Sequence, residues 1–131
     1  MKDHRVNDTV RLREFLDELA RDQWSFENLP SVELNSRDCT GDTPLHVAAV
    51  RGDVQIGRLL IGAGADLNVC GEMKLTPLHE AISRGYVEFA KLLLAAGARY
   101  DIKDEWSATA KELAEKSDSP EVRALFMDRG H

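Results

Sequence analysis

The chain is 131 residues long, 43% apolar and 31% charged, with a formal net charge of −6. That length gives one domain with a modest core. The acidic balance, without any Lys/Arg-rich block, argues against nucleic acid or an anionic membrane surface as a partner.

Residues 1–7 read as a polar tail. From Asp8 to about Arg21, Val10, Leu12, Phe15, Leu16 and Leu19 recur at helical spacing among charged residues, which predicts one amphipathic helix capped by Asp8 or Thr9. Residues 22–34 then carry Trp24, Phe26, Leu29, Pro30, Val32 and Leu34. So many apolar residues in a connection fit two readings: a loop laid over the edge of the core, or an added partner-binding element.

Residues 35–67 form a unit. Thr43 can cap a helix through its hydroxyl, and Pro44 sits in the first turn, where its missing N–H costs nothing. Leu45, Val47, Ala48 and Ala49 continue the helix, and Gly52 ends it in the way a left-handed cap requires. Val54, Ile56, Leu59, Leu60 and Ile61 give a second helix, stopped by Gly64.

Residues 68–100 repeat this chemistry. Thr43-Pro44-Leu45-His46 returns 33 positions on as Thr76-Pro77-Leu78-His79, and the same offset carries Gly52 to Gly85, Leu59-Leu60 to Leu92-Leu93 and Asn35 to Asn68. A weaker third copy at residues 101–131 keeps Asp104, Thr109, Ala114, Leu125 and Gly130. It holds Ala110, Lys111 and Glu112 where the others have Pro, Leu and His, and a Ser117-Asp118-Ser119-Pro120 turn where they have glycine.

Self-similarity at a fixed period marks a stacked array. The period of 33 and the Thr-Pro-Leu-His-x-Ala form of residues 43–48 and 76–81 resemble the ankyrin repeat. The resemblance implies an all-α solenoid of helix-turn-helix units with protruding hairpin turns. Residues 1–34 would be an N-terminal capping helix and its extended connection, 35–67 and 68–100 two full repeats, and 101–131 a degenerate C-terminal cap with a polar outer face. One departure from the family pattern stands out: Gly71 and Lys74 occupy the hairpin places held by Asp38 and Gly41 in the preceding repeat, so this turn is expected to differ in shape.

The resemblance also assigns roles. His46 and His79 would be structural groups tying each helix start to the neighbouring turn, and two histidines without a third ligand make a poor zinc site. Partner contacts would come from the tips and the first helices, which line a concave groove: Arg37, Thr40 and Asp42; Glu72, Met73 and Leu75; Lys103, Glu105 and Trp106; with Val50 and Arg51, and Ser83 and Arg84. Arg51 and Arg84 fall one repeat apart, as do Met73 and Trp106, and Trp, Arg and Met are types enriched at interfaces. For the arginines, pairing with partner carboxylates stands beside salt bridges to tip acids. For Trp106, an exposed anchor stands beside a side chain folded back on the cap.

No phosphate-cradling glycine loop, Ser/His/Asp set or HExxH occurs, so an enzyme and a cofactor are not expected. The longest apolar runs, Leu59 to Ala65 and Leu92 to Ala98, are too short to span a membrane, and residues 1–5 are polar with no apolar run behind them. Cys39 and Cys70 are too few for a disulfide framework and suit a reducing cytoplasm. The expectation is a non-enzymatic module, monomeric when free, that binds another protein as an inhibitor, immunity-type protein or adaptor. The alternatives are a thiol- or metal-responsive regulator using Cys39 and Cys70, and a ligand pocket at His46 and His79.

Overall fold

The structure, a computed structural model, describes residues 4–21 and 32–127. Its helices are α1 (His4–Arg21), α2 (Pro44–Arg51), α3 (Val54–Gly62), α4 (Pro77–Ser83), α5 (Val87–Ala95), α6 (Ala110–Glu115) and α7 (Pro120–Arg123). Short 3-10 turns occupy Glu72–Lys74 and Ala124–Phe126. Among the described residues no strand forms; an isolated bridge joins Lys103 and Thr109. This is the expected all-α arrangement.

The helix starts follow from single residues. Thr43 and Thr76 hold extended backbone and accept the N–H of His46 and His79, the third residues of α2 and α4, while each imidazole takes the N–H of its threonine. Two backbone donors at each helix start, otherwise orphaned, are thereby satisfied. Asp53 and Ser119 cap α3 and α7 through their side chains. Gly52 closes α2 at φ 68°, a left-handed conformation that suits glycine, and sends its N–H back to Ala48 and Ala49.

The start of α1 differs from expectation. The helix begins at His4, so Asp8 and Thr9 lie inside it rather than capping it, and residues 4–7 are not a tail. Those four positions hold neither glycine nor proline, so nothing in them stops a helix from running one turn further upstream. The apolar connection at residues 22–31 lies outside the described residues; just after it, Val32 is buried and Leu34 packs partly against the core.

The helices stack in two layers. The first helices, α2, α4 and α6, contact one another in order; so do the second helices α1, α3 and α5, with the turn at Ala124–Phe126 closing the far side. Ala48, Ala81 and Ala114, one per unit, are fully buried in the first-helix layer, where a single methyl lets the backbones approach. Leu45, Leu60, Leu78 and Leu93 are fully buried between layers, each stabilising the fold by about 1.5–3 kcal/mol. The apolar cluster runs unbroken from Phe15 on α1 to Phe126, whose ring meets Tyr100 at 5.1 Å between centroids.

Candidate functional site

Two of the three hairpins are built alike. In tip one the Asp38 carboxylate accepts the N–H groups of Thr40 and Asp42 and the Thr40 hydroxyl, and Asp38 N–H closes the hairpin on the Asp42 carbonyl at 2.8 Å. In tip three Asp104 repeats this with Trp106 and Ala108. Tip two keeps the closing bond, from Gly71 N–H to the Leu75 carbonyl, but has no aspartate of its own. Its Glu72 N–H is capped at 2.9 Å by Asp42, from the preceding repeat. Gly71 makes room for that carboxylate, since a Cβ there would lie 2.0 Å from Asp42 Oδ1. Met73 and Lys74 both take left-handed backbone, at φ 55° and 60°, so the turn does differ in shape from its neighbours.

The tips are tied to one another. Arg37 donates to the Gly41 carbonyl in its own tip and to the Cys70 carbonyl at the base of the next. His46 Nε2 lies 2.9 Å from the Leu75 carbonyl and His79 Nε2 lies 3.0 Å from the Ala108 carbonyl. A carbonyl only accepts, so Nε2 carries the proton, and Nδ1 is free to take the threonine N–H. Burial pushes His46 below its ordinary pKa, against the pull of the Leu75 carbonyl and of Asp42 and Asp38, so the ring is neutral at pH 7. Both ring nitrogens of each histidine are engaged within the scaffold. Glu105 N–H adds a bond to the Met73 carbonyl at 3.0 Å, locking tip three to tip two.

The third unit carries a telling variation. Glu112 stands in the histidine position of the motif and takes the Thr109 N–H at 3.2 Å, so the capping box survives. A carboxylate accepts but does not donate, and the tie to a following carbonyl is gone.

The predicted contact residues fall into three groups. Arg37, Thr40 and Asp42 are held in bonds within and between tips. Glu72, Met73, Lys103, Glu105 and Trp106 are exposed on tips two and three, with Leu75 half-buried beneath them. Trp106 is 65% exposed and Met73 47%, so the tryptophan does not fold back on the cap. On the first helices Val50 is half-buried and Ser83 exposed. The arginines meet helical acids rather than tip acids: Arg51 donates to Glu18 on α1 at 3.1 Å and lies 5.8 Å from the Phe15 ring centre, while Arg84 stands 4.0 Å from Glu80 on its own helix. Cys39 is exposed and Cys70 half-buried.

One residue of this face went unremarked in the sequence. The Glu80 side chain is only 13% exposed. Burial pushes its carboxyl up; Arg84 opposes this, and Asp42 and Glu72 add to it. Its signal was its place in the motif, where the 33-residue offset sets Val47 and Leu113 on either side of it.

The family model for ankyrin repeats, in three copies, matches residues 13–104, from within α1 to tip three. The chain belongs to the ankyrin-repeat family. Ankyrin repeats are in general protein-interaction modules. No helix among its described residues is long and apolar enough to cross a membrane. A separate groove of about 870 Å³ opens on the second-helix layer between α5 and α7, lined by Val87, Lys91, Leu94 and Leu125 among others.

Proposed function

We propose that this ankyrin protein is a non-enzymatic interaction module that holds a partner protein against its tips and first helices, as an inhibitor, immunity-type protein or adaptor acting in the cytoplasm, and that it is monomeric when free. The observation that carries the reading is the pair Met73 and Trp106, exposed on neighbouring tips whose backbones are bonded to each other. A large apolar side chain on a preorganised platform loses little freedom when it is buried by a partner, which is what makes a residue a binding anchor. Leu75 beneath them and the exposed Glu72, Lys103 and Glu105 around them supply an apolar centre with a charged rim. Ser83 and Arg84 extend the face onto α4, and Val50 and Arg51 onto α2.

The test is affinity capture from host lysate with quantitative mass spectrometry, wild type beside Met73→Ser/Trp106→Ala. Both positions are exposed, so the variant is expected to keep its fold, which circular dichroism checks. A protein enriched by wild type and lost from the folded variant is the expected outcome. A partner held equally by both places the interaction on another surface and sinks the reading.

A further inference from the structure

We propose that the partner segment seated in the concave face is cationic and apolar: an arginine or lysine directed at Glu80, flanked by aliphatic residues that cover Val47 and Leu113. This rests on the reading just given and adds the chemistry of what is bound.

Three observations lead to it. First, the fifth motif position forms a row across the three first helices, Val47 on α2, Glu80 on α4 and Leu113 on α6. All three are half-buried, and the two apolar members pack partly against the core. A carboxylate set between two aliphatic neighbours is a poor choice for a solvated surface and a suitable one for a site that takes a long, aliphatic-stemmed cation.

Second, the positive charges nearby are not matched to it. Arg51 is committed to Glu18 and to the Phe15 ring. Arg84 reaches Glu80 only at 4.0 Å, with its own side chain 45% exposed. That separation is a loose ion pair within one helix, of a kind that contributes little, and a better-placed cation displaces it with little loss. Asp42 and Glu72 lie close enough to bear on the Glu80 carboxyl. Around Glu80 the face is therefore acidic, and charge complementarity selects a basic segment over an acidic one.

Third, the exposed apolar residues Met73 and Trp106 stand on the tips of the same and the next repeat. A segment whose cation reaches Glu80 and whose flanks cover Val47 and Leu113 has those two side chains at its edge.

The experiment pans a phage-displayed library of random twelve-residue peptides against the purified protein, then measures the enriched peptides by fluorescence anisotropy. Binding is compared among wild type, Glu80→Gln, Trp106→Ala and, on the second-helix groove, Lys91→Gln. The expected result is enrichment of Arg or Lys between aliphatic residues, with affinity falling about tenfold or more in Glu80→Gln and in raised salt, and unchanged in Lys91→Gln. Glu80→Gln preserves shape and removes only the charge, and its thermal unfolding confirms that it is folded. Peptides that lack a basic residue, or carry acidic ones, and that bind Glu80→Gln as well as wild type but fail on Trp106→Ala overturn this inference while leaving the concave-face reading intact. Peptides insensitive to both Glu80→Gln and Trp106→Ala overturn the concave-face reading itself. A library that yields no binders counts against the inference.

Discussion

Gly57 is fully inside α3, where a helix ordinarily prefers alanine, and repeat two indeed has Ala90 at the equivalent place. The reason is Phe89, which replaces Ile56 and lies fully buried. A Cβ at position 57 would come within 2.6 Å of the Phe89 ring, so the glycine is the slot that accepts the larger side chain. Gly57→Ala should destabilise the protein by about 1–3 kcal/mol despite its better helix propensity. Combined with Phe89→Leu, the loss should be smaller than the sum of the two single changes, read by denaturant unfolding. The second residue-scale expectation concerns pH. Folded His46 holds a pKa below its ordinary value of 6.5, chiefly through burial. Above pH 6.5 both folded and unfolded chains carry the ring neutral and its contribution is complete. As pH falls below that value the unfolded chain takes up a proton that the folded one refuses, and stability drops until the folded ring itself protonates. Asp38, Asp42 and Arg37 face the ring and set how far that extends. Unfolding midpoints between pH 7.5 and 5 should decline, and the decline should flatten in His46→Gln.

Tip two shows what a hairpin costs when its usual residues are absent. Tip one places Gly41 at its left-handed position, with φ 94°, whereas tip two places Lys74 there and adds Met73 in the same region. A side chain in that conformation costs about 1 kcal/mol or more, partly offset by the lower unfolded entropy of a non-glycine residue. Lys74→Gly should therefore stabilise the protein by about 0.5–1 kcal/mol, seen as a higher thermal midpoint. The capped helix starts, the glycine stops and the pairing of units could all be read from the sequence, because each depends on one or two residues at fixed spacing. The altered turn was legible only as a departure, since its shape depends on Asp42 reaching across from another repeat. The upstream turn of α1 was missed because His4 to Asn7 carry no start signal. Glu80 was missed for a related reason: Asp42, Glu72 and Arg84, which define its surroundings, come from three separate segments.

At the scale of the molecule, the units are joined by apolar contact and by a short series of hydrogen bonds from each repeat to the next. His79 supplies one of these, to the Ala108 carbonyl. His79→Gln keeps an acceptor for the Thr76 N–H but shortens the reach to Ala108, and should cost about 1–2 kcal/mol. Because stability in a stacked array is largely local plus nearest-neighbour, amide exchange should speed up more in α6 and α7 than in α2 and α3. Equal acceleration throughout would mean that the array opens only as a whole.

The exchange of histidine for glutamate at position 112 gives the array a direction. Each full repeat has a socket, the carbonyl at the foot of its hairpin, and a plug, the Nε2 proton of its histidine. The third unit has the socket at Ala108 and, in Glu112, no plug. A duplicate of residues 68–100 spliced in after Tyr100 would meet a histidine-to-carbonyl joint on both sides, whereas a unit set against the third one would receive no such bond from Glu112. The choice of a single side chain thus makes the interior of the array the easier place to lengthen it by gene duplication.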